Sequence, residues 1–118
     1  RKLCTKCRKE RPFTEEEKQI IEKIGKKYGV EYNLNGMTYD AIGCKHCNNT
    51  GFFDRIGVFE ILNVTEEIQA EIMRGKSSIE IKQEALKQGY RPLVVDGIRK
   101  VVQGYTTLEE LNKKLLIY

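Results

Sequence analysis

LCTKC at residues 3–7 and GCKHC at residues 43–47 hold all four cysteines of the 118-residue chain, in two matched C-x-x-C pairs with 36 residues between them. A C-x-x-C turn is tight enough to aim two sulfurs at one ion and its own amides at the sulfurs. Two such turns brought together give a closed tetrahedral site of the structural zinc type. The gap exceeds the roughly 15–20 residues of an ordinary zinc ribbon, so the pattern requires an ordered insertion between the turns.

Two other uses of paired cysteines compete with this reading. A redox dithiol expects one C-x-x-C at a helix start after a strand, and two pairs without that frame do not match it. A disulfide framework belongs to an oxidising compartment, whereas no charged-then-apolar leader opens the sequence; the chain reads as cytosolic. The pattern therefore favours one zinc per chain on Cys4, Cys7, Cys44 and Cys47, with His46 a solvated turn residue. Four sulfurs leave no open coordination position, which points to a structural and not a catalytic metal.

The net charge is +4. Arg1, Lys2, Lys6, Arg8, Lys9 and Arg11 crowd around the first pair, and Lys45 and His46 lie inside the second. Cations beside thiols stabilise thiolates. A divalent ion on four thiolates carries two net negative charges, so the cluster reads partly as counter-charge and only weakly as a nucleic-acid surface. The alternative is nonetheless a zinc-ribbon nucleic-acid binder, with Tyr28, Tyr32, Tyr39, Phe52 and Phe53 available for stacking. Against it, acids alternate with bases along residues 14–28 and no continuous basic stripe forms.

The insertion is legible. Thr14 and Glu17 form a capping-box pattern, Ile20, Ile21, Ile24 and Tyr28 share a helical face, and Gly29 is placed as a stop, which predicts a helix over 14–28. Asn35–Gly36 then predicts a short hairpin or irregular loop returning to the second pair. FFDRIGVFEIL, residues 52–62, reads as a strand, with Arg55, Gly57 and Phe59 on one face and Ile56, Val58 and Glu60 on the other, buried one.

From residue 63 the sequence changes to four short capped helices. Thr65 opens the first, with Ile68, Ile72 and Met73 on one face before Gly75. Ser77 and Glu80 open the second, which stops at Gly89; Pro92 starts the third, which stops at Gly104; Thr107 and Glu110 open the last. Ala70–Ser77, AEIMRGKS, satisfies a loose Walker A pattern, but a helical pattern precedes it where a phosphate loop needs a buried strand and glycines. It reads as a helix stop and a serine cap. The expected fold is α+β and mostly helical: a zinc-binding tetracysteine module over 1–55 with an inserted helix, then a short strand and a helical C-terminal subdomain over 56–118. At 40% hydrophobic and 32% charged the chain is an ordinary globular composition, and no apolar run approaches the roughly 20 residues of a membrane span.

LCTKC, GCKHCNNTGFFDRIGVFEIL and GIRKVVQGYTTLEEL together closely resemble the C-terminal part of the type IV pilus assembly and type II secretion motor ATPases, over essentially the whole chain. That family carries a tetracysteine zinc-binding insertion, a glycine-aromatic turn into Gly-Arg-x-Gly-x-x-Glu, and a helical tail with Asp-Gly and Gly-x-Thr-x-Glu-Glu. By this resemblance Cys4, Cys7, Cys44 and Cys47 are the metal ligands. Arg55, Gly57 and Glu60 match the strand motif, and Asp96, Gly97, Lys100, Gly104, Thr106, Glu109 and Glu110 match the tail. Asp54 stands where the family usually has glycine. The resemblance implies a parent that is a hexameric ATPase at the cytoplasmic face of the inner membrane, using ATP and magnesium to move a membrane platform protein. The family's Walker loops and histidine box lie upstream of the zinc module and are not in this sequence. For this chain it implies an accessory, non-catalytic portion that contacts the ATPase core and neighbouring subunits, binds no nucleic acid and does not span the membrane.

Overall fold

The computed structural model describes residues 1–60, 66–87 and 92–115. Strand β1 (Lys9–Pro12) follows the first cysteine turn directly, and helix α1 (Glu15–Tyr28) follows β1. The capping box forms as the sequence predicts: the Thr14 hydroxyl accepts from Glu17 N–H, the Glu17 carboxylate accepts from Thr14 N–H, and Gly29 closes the helix at φ 68°. Strand β2 (Met37–Asp40) then pairs antiparallel with β1, Lys9 opposite Asp40 and Pro12 opposite Met37. The Asn35–Gly36 dipeptide does not turn a hairpin of its own; residues 30–36 are an irregular loop, pinned where Tyr32 Oη donates to the Val95 carbonyl at 3.0 Å. The two-stranded ladder thus has α1 at one end and both cysteine turns at the other.

Four helices follow: α2 (Glu66–Met73), α3 (Ser78–Lys87), α4 (Leu93–Val102) and α5 (Leu108–Leu115). The α+β, mostly helical fold stands. The strand expected over 52–62 does not form within residues 53–60; Phe52 alone makes an antiparallel bridge, to Leu3. A strand is held by ladder hydrogen bonds to a neighbour, and beyond Phe53 N–H to the Lys2 carbonyl and Lys2 N–H to the Asp54 carbonyl, residues 53–59 make no further backbone–backbone bond among the described residues. Ile61 and Leu62 lie outside the described residues, as do Thr65 and Gly89.

One core joins the two ends of the sequence. Phe13, Ile21 and Ile24 pack with Ile98, Val101, Leu108 and Leu111, and Tyr28, Tyr32 and Leu34 flank them. Burying such side chains contributes about 1.5–3 kcal/mol each, so α4 and α5 are held against α1 by the dominant apolar contact of the fold. Helices α2 and α3 pack mainly on one another. Ile68 is fully buried there, but Ile72 and Met73, expected on the same face, are 51% and 88% exposed. Of the three residues on this stripe, Ile68 alone is buried.

Candidate metal centre

The first cysteine turn, residues 5–7, is closed by Arg8 N–H donating to the Cys4 carbonyl at 3.1 Å. The second is a single 3-10 turn, Lys45–Cys47, followed by three residues with positive φ, Asn48 at 54°, Asn49 at 61° and Gly51 at 83°. That left-handed run turns the chain back so that Gly51 N–H reaches Cys47 Sγ at 3.2 Å. Gly43 N–H donates to Cys7 Sγ at 3.3 Å and Cys44 N–H to Cys47 Sγ at 3.2 Å. A β-carbon on Gly51 would come within 2.6 Å of the Ala41 methyl, so only glycine permits this approach.

The four sulfurs lie within 4.8 Å of one another. Cys4–Cys44 is 3.7 Å, Cys7–Cys47 3.8 Å and Cys44–Cys47 3.8 Å between Sγ atoms. A tetrahedron with metal–sulfur bonds of about 2.3 Å has edges of about 3.8 Å, so the spacing fits a four-coordinate thiolate-bound ion such as zinc. Cys4 and Cys47 are buried and Cys7 and Cys44 half-buried. Burial pushes the Cys47 thiol up, but the amides of Cys44 and Gly51 and the neighbouring thiols outweigh it and bring it down to about 6. Cys7 is pushed up to about 11, by burial first and against the relief from Gly43 N–H. The turn amides thus stabilise negative charge at Cys47 before any ion arrives. His46 stacks on Phe53, ring centroids 4.1 Å apart, and belongs to no ligand cluster among the described residues.

The basic cluster around the first turn is more structural than the sequence suggested. Arg1 pairs with Glu110, Arg11 lies between Glu17 at 2.6 Å and Asp40 at 2.8 Å, and Arg8 sits 4.0 Å over the Tyr39 ring. The arginines are engaged by partners inside the fold and Lys2 is half-buried with its ammonium 5.7 Å from the Tyr105 ring, which leaves Lys6, Lys9 and Lys45 as the exposed part of the counter-charge. Four of the five aromatics considered for base stacking are engaged too, while Phe53 stays 48% exposed beside His46. Tyr28 and Tyr32 flank the core, Tyr39 is covered by Arg8, and Phe52 lies 4.3 Å under Arg1.

Several of the motif residues outside the metal cluster make contacts within the fold. Gly97 is buried where a β-carbon would meet Leu111 Cδ1 at 2.6 Å, and Gly104 turns from α4 to α5 at φ 87°. Thr106 Oγ1 donates to the Arg1 carbonyl at 2.7 Å, while Glu109 is exposed. Asp96 accepts from Phe59 N–H at 3.0 Å, and Glu60 from Leu93 N–H, the first residue of α4, at 3.2 Å. Glu60 was expected on a buried face; it is exposed, because a carboxylate gains more at a helix N-terminus than inside an apolar layer. Ile56 and Val58 do turn inward, onto a 120 Å³ cavity they share with Thr106, Glu110 and Leu111. Arg55 is exposed.

The Walker-like stretch is a helix–turn–helix. Ala70 lies in α2, Gly75 ends it at φ 73°, and the Ser77 hydroxyl caps α3 by accepting from Glu80 N–H. Lys76 Nζ lies 3.5 Å from the Glu80 carboxylate. Helix α2, not a strand, leads directly into this turn, and the Arg74, Gly75 and Lys76 amides donate to the Ala70, Ile72 and Glu71 carbonyls, where a phosphate loop would leave its amides for the phosphate.

A profile of the family described as Type II/IV secretion system protein matches residues 1–113. The chain is similar to the type IV pilus assembly ATPase PilB of Pseudomonas aeruginosa, 38% identical over 96% of the chain and 19% of that protein. It is 35% identical to PilB of Thermus thermophilus, over 94% of the chain and 12% of that protein. With the type II secretion system protein E of Aeromonas hydrophila it shares 33% over 94% of the chain and 21% of that protein. The chain thus spans about a fifth or less of the length of the relatives it matches first. No described helix is long and apolar enough to cross a membrane. Four sulfurs at tetrahedral spacing, a glycine-dependent turn beside them and a match over residues 1–113 agree: this chain belongs to the Type II/IV secretion system protein family.

Proposed function

We propose that this chain is the zinc-stabilised accessory portion of a secretion or pilus-assembly motor ATPase. Cys4, Cys7, Cys44 and Cys47 hold one zinc per chain. The zinc closes the open end of the β1–β2 ladder and substitutes for core that a segment this short cannot build. Residues 1–55 form the metal module and residues 56–118 the helical tail, with α4 and α5 docked on α1. ATP and magnesium are handled by a core outside residues 1–118, and the chain contributes to contacts with that core, with neighbouring subunits of a hexamer and with a membrane platform protein at the cytoplasmic face. The reading rests on the match between sulfur spacing and a zinc tetrahedron in a chain related to motor ATPases.

Metal analysis of protein prepared without added zinc should return close to one zinc per chain. A metal-free protein that melts at the same temperature as the zinc-loaded one would overturn the reading. The isolated chain should hydrolyse no ATP, and Lys76→Ala should leave its melting temperature unchanged with and without nucleotide; an ATP-dependent rise lost in that variant would restore the Walker reading of residues 70–77.

A further inference from the structure

Residues 1, 3 and 8 bracket Cys4 and Cys7, and each of them reaches the corner between α4 and α5. Leu3 N–H donates to the Tyr105 carbonyl at 2.8 Å. The Arg1 carbonyl accepts from Thr106 Oγ1 at 2.7 Å, and the Arg1 guanidinium grips Glu110. Arg8 Nη1 donates to the Gly104 carbonyl at 2.8 Å. These links are not surface decoration, since Leu3, Cys4, Gly104, Thr106 and Glu110 are all buried.

Arg8 is the key connection. Its own N–H closes the Cys4–Cys7 turn on the Cys4 carbonyl, its guanidinium covers Tyr39 of β2, the strand leading to the second cysteine turn, and its Nη1 holds the tail. Gly104 lets that contact form: a β-carbon there would lie 2.7 Å from the Tyr39 ring and 3.6 Å from Arg8 Nη1. One side chain therefore touches both halves of the sulfur cluster's support and the tail corner together.

We propose that the metal centre and the α4–α5 corner are one cooperative unit, so that metal occupancy sets the order of residues 104–110, with Arg8 and Thr106 as the positioning residues that carry the coupling. This rests on the zinc reading above. Coupling is reciprocal: whatever stabilises the corner tightens the metal, and loss of the metal loosens the corner. Helices α2 and α3, which pack mainly on one another, lie outside the unit.

The test measures zinc release to a chelator, and amide exchange in zinc-loaded and metal-stripped protein. Stripping should speed exchange at residues 104–111 by about tenfold or more and leave residues 68–73 and 81–87 little changed. Arg8→Ala keeps all four cysteines and should release zinc about ten times faster, the usual effect of removing a residue that supports a ligand. It should also speed exchange at the corner while zinc is still bound. Thr106→Val preserves shape and should shift both readouts in the same direction, which keeps the test open if Arg8→Ala fails to fold. Unchanged zinc release and corner exchange in both variants, or equal acceleration of α2 and α3 on stripping, would overturn the coupling. A wild-type chain that retains no zinc would instead overturn the metal reading beneath it.

Discussion

Arg1 and Glu110 are 109 positions apart, and the Glu110 carboxylate, 3% exposed, receives Arg1 Nε at 3.0 Å and Nη2 at 3.1 Å. The pair joins the start of the segment leading into the first cysteine turn to the first turn of α5. The Arg1 guanidinium, followed by burial acting in the other direction, leaves the Glu110 carboxyl pulled down to about 2.

Because that folded value lies below the roughly 4.3 of an unfolded glutamate, the pair stabilises fully above about pH 4.3, and its contribution is lost as pH falls toward 2. Glu110→Gln should lower stability at pH 7 by about 1.5–3 kcal/mol, toward the lower end because the Arg1 side chain is 44% exposed. Urea unfolding of both proteins should show the gap closing between pH 4.5 and pH 2.5. Repeating the comparison on metal-stripped protein separates this loss from acid release of the metal, to which the corner is coupled. A gap that is constant with pH would mean the carboxylate charge contributes nothing.

Asp54 adopts φ 71°, the left-handed conformation a glycine reaches without penalty, and its Oδ1 partly offsets the strain by accepting from Arg55 N–H at 3.0 Å. The backbone at Asp54, where the resemblance implies glycine, thus carries strain of about 1–2 kcal/mol. Asp54→Gly should stabilise the chain by about 0.5–1 kcal/mol after the entropy cost of glycine in the unfolded state. Thermal unfolding should show a melting temperature a few degrees higher; a fall would mean that the Asp54 side chain matters more than its backbone angle.

Gly51→Ala places a methyl into Ala41 and displaces the amide that donates to Cys47. Zinc affinity should drop by about tenfold or more, as measured by chelator competition, without any ligand being removed. Gly75→Ala also substitutes a positive-φ glycine but meets no neighbouring atom, and should leave zinc affinity untouched.

In the α2–α3 pair, Ile68→Ala should cost about 2–5 kcal/mol of local stability, whereas Met73→Ser should stay within about 0.5 kcal/mol. Native-state amide exchange over α2 and α3 distinguishes them. Similar effects at both positions would contradict the exposure of Met73.

Local signals in the sequence translated directly into structure. Thr14 with Glu17, Ser77 with Glu80 N–H and Thr107 with Glu110 N–H each cap the helix they announce, since a cap is decided by residues three positions apart. The four cysteines converge as their spacing implies. What the sequence could not disclose depends on partners far along the chain. Nothing local tells β2 to choose residues 9–12, or says that Glu110 will be turned from its own helix toward Arg1. The strand reading of residues 52–62 fails within the described residues for the complementary reason: composition favours extension, but a ladder needs a neighbour, and residues 53–59 have almost no backbone partner among the described residues.

The core shared by α1 and the last two helices also bears on synthesis. Ile21 and Leu108 are 87 positions apart, which at about 5–20 residues per second is roughly 4 to 20 s of translation. During that interval α1 has emerged with its apolar face uncovered. Cys47 emerges early in it, so the two cysteine turns can close on an ion long before Ile98 and Leu108 are made. A nascent chain starved of zinc lacks that clasp, so it presents Phe13, Ile21 and Ile24 on an unanchored segment until α4 and α5 emerge to cover them.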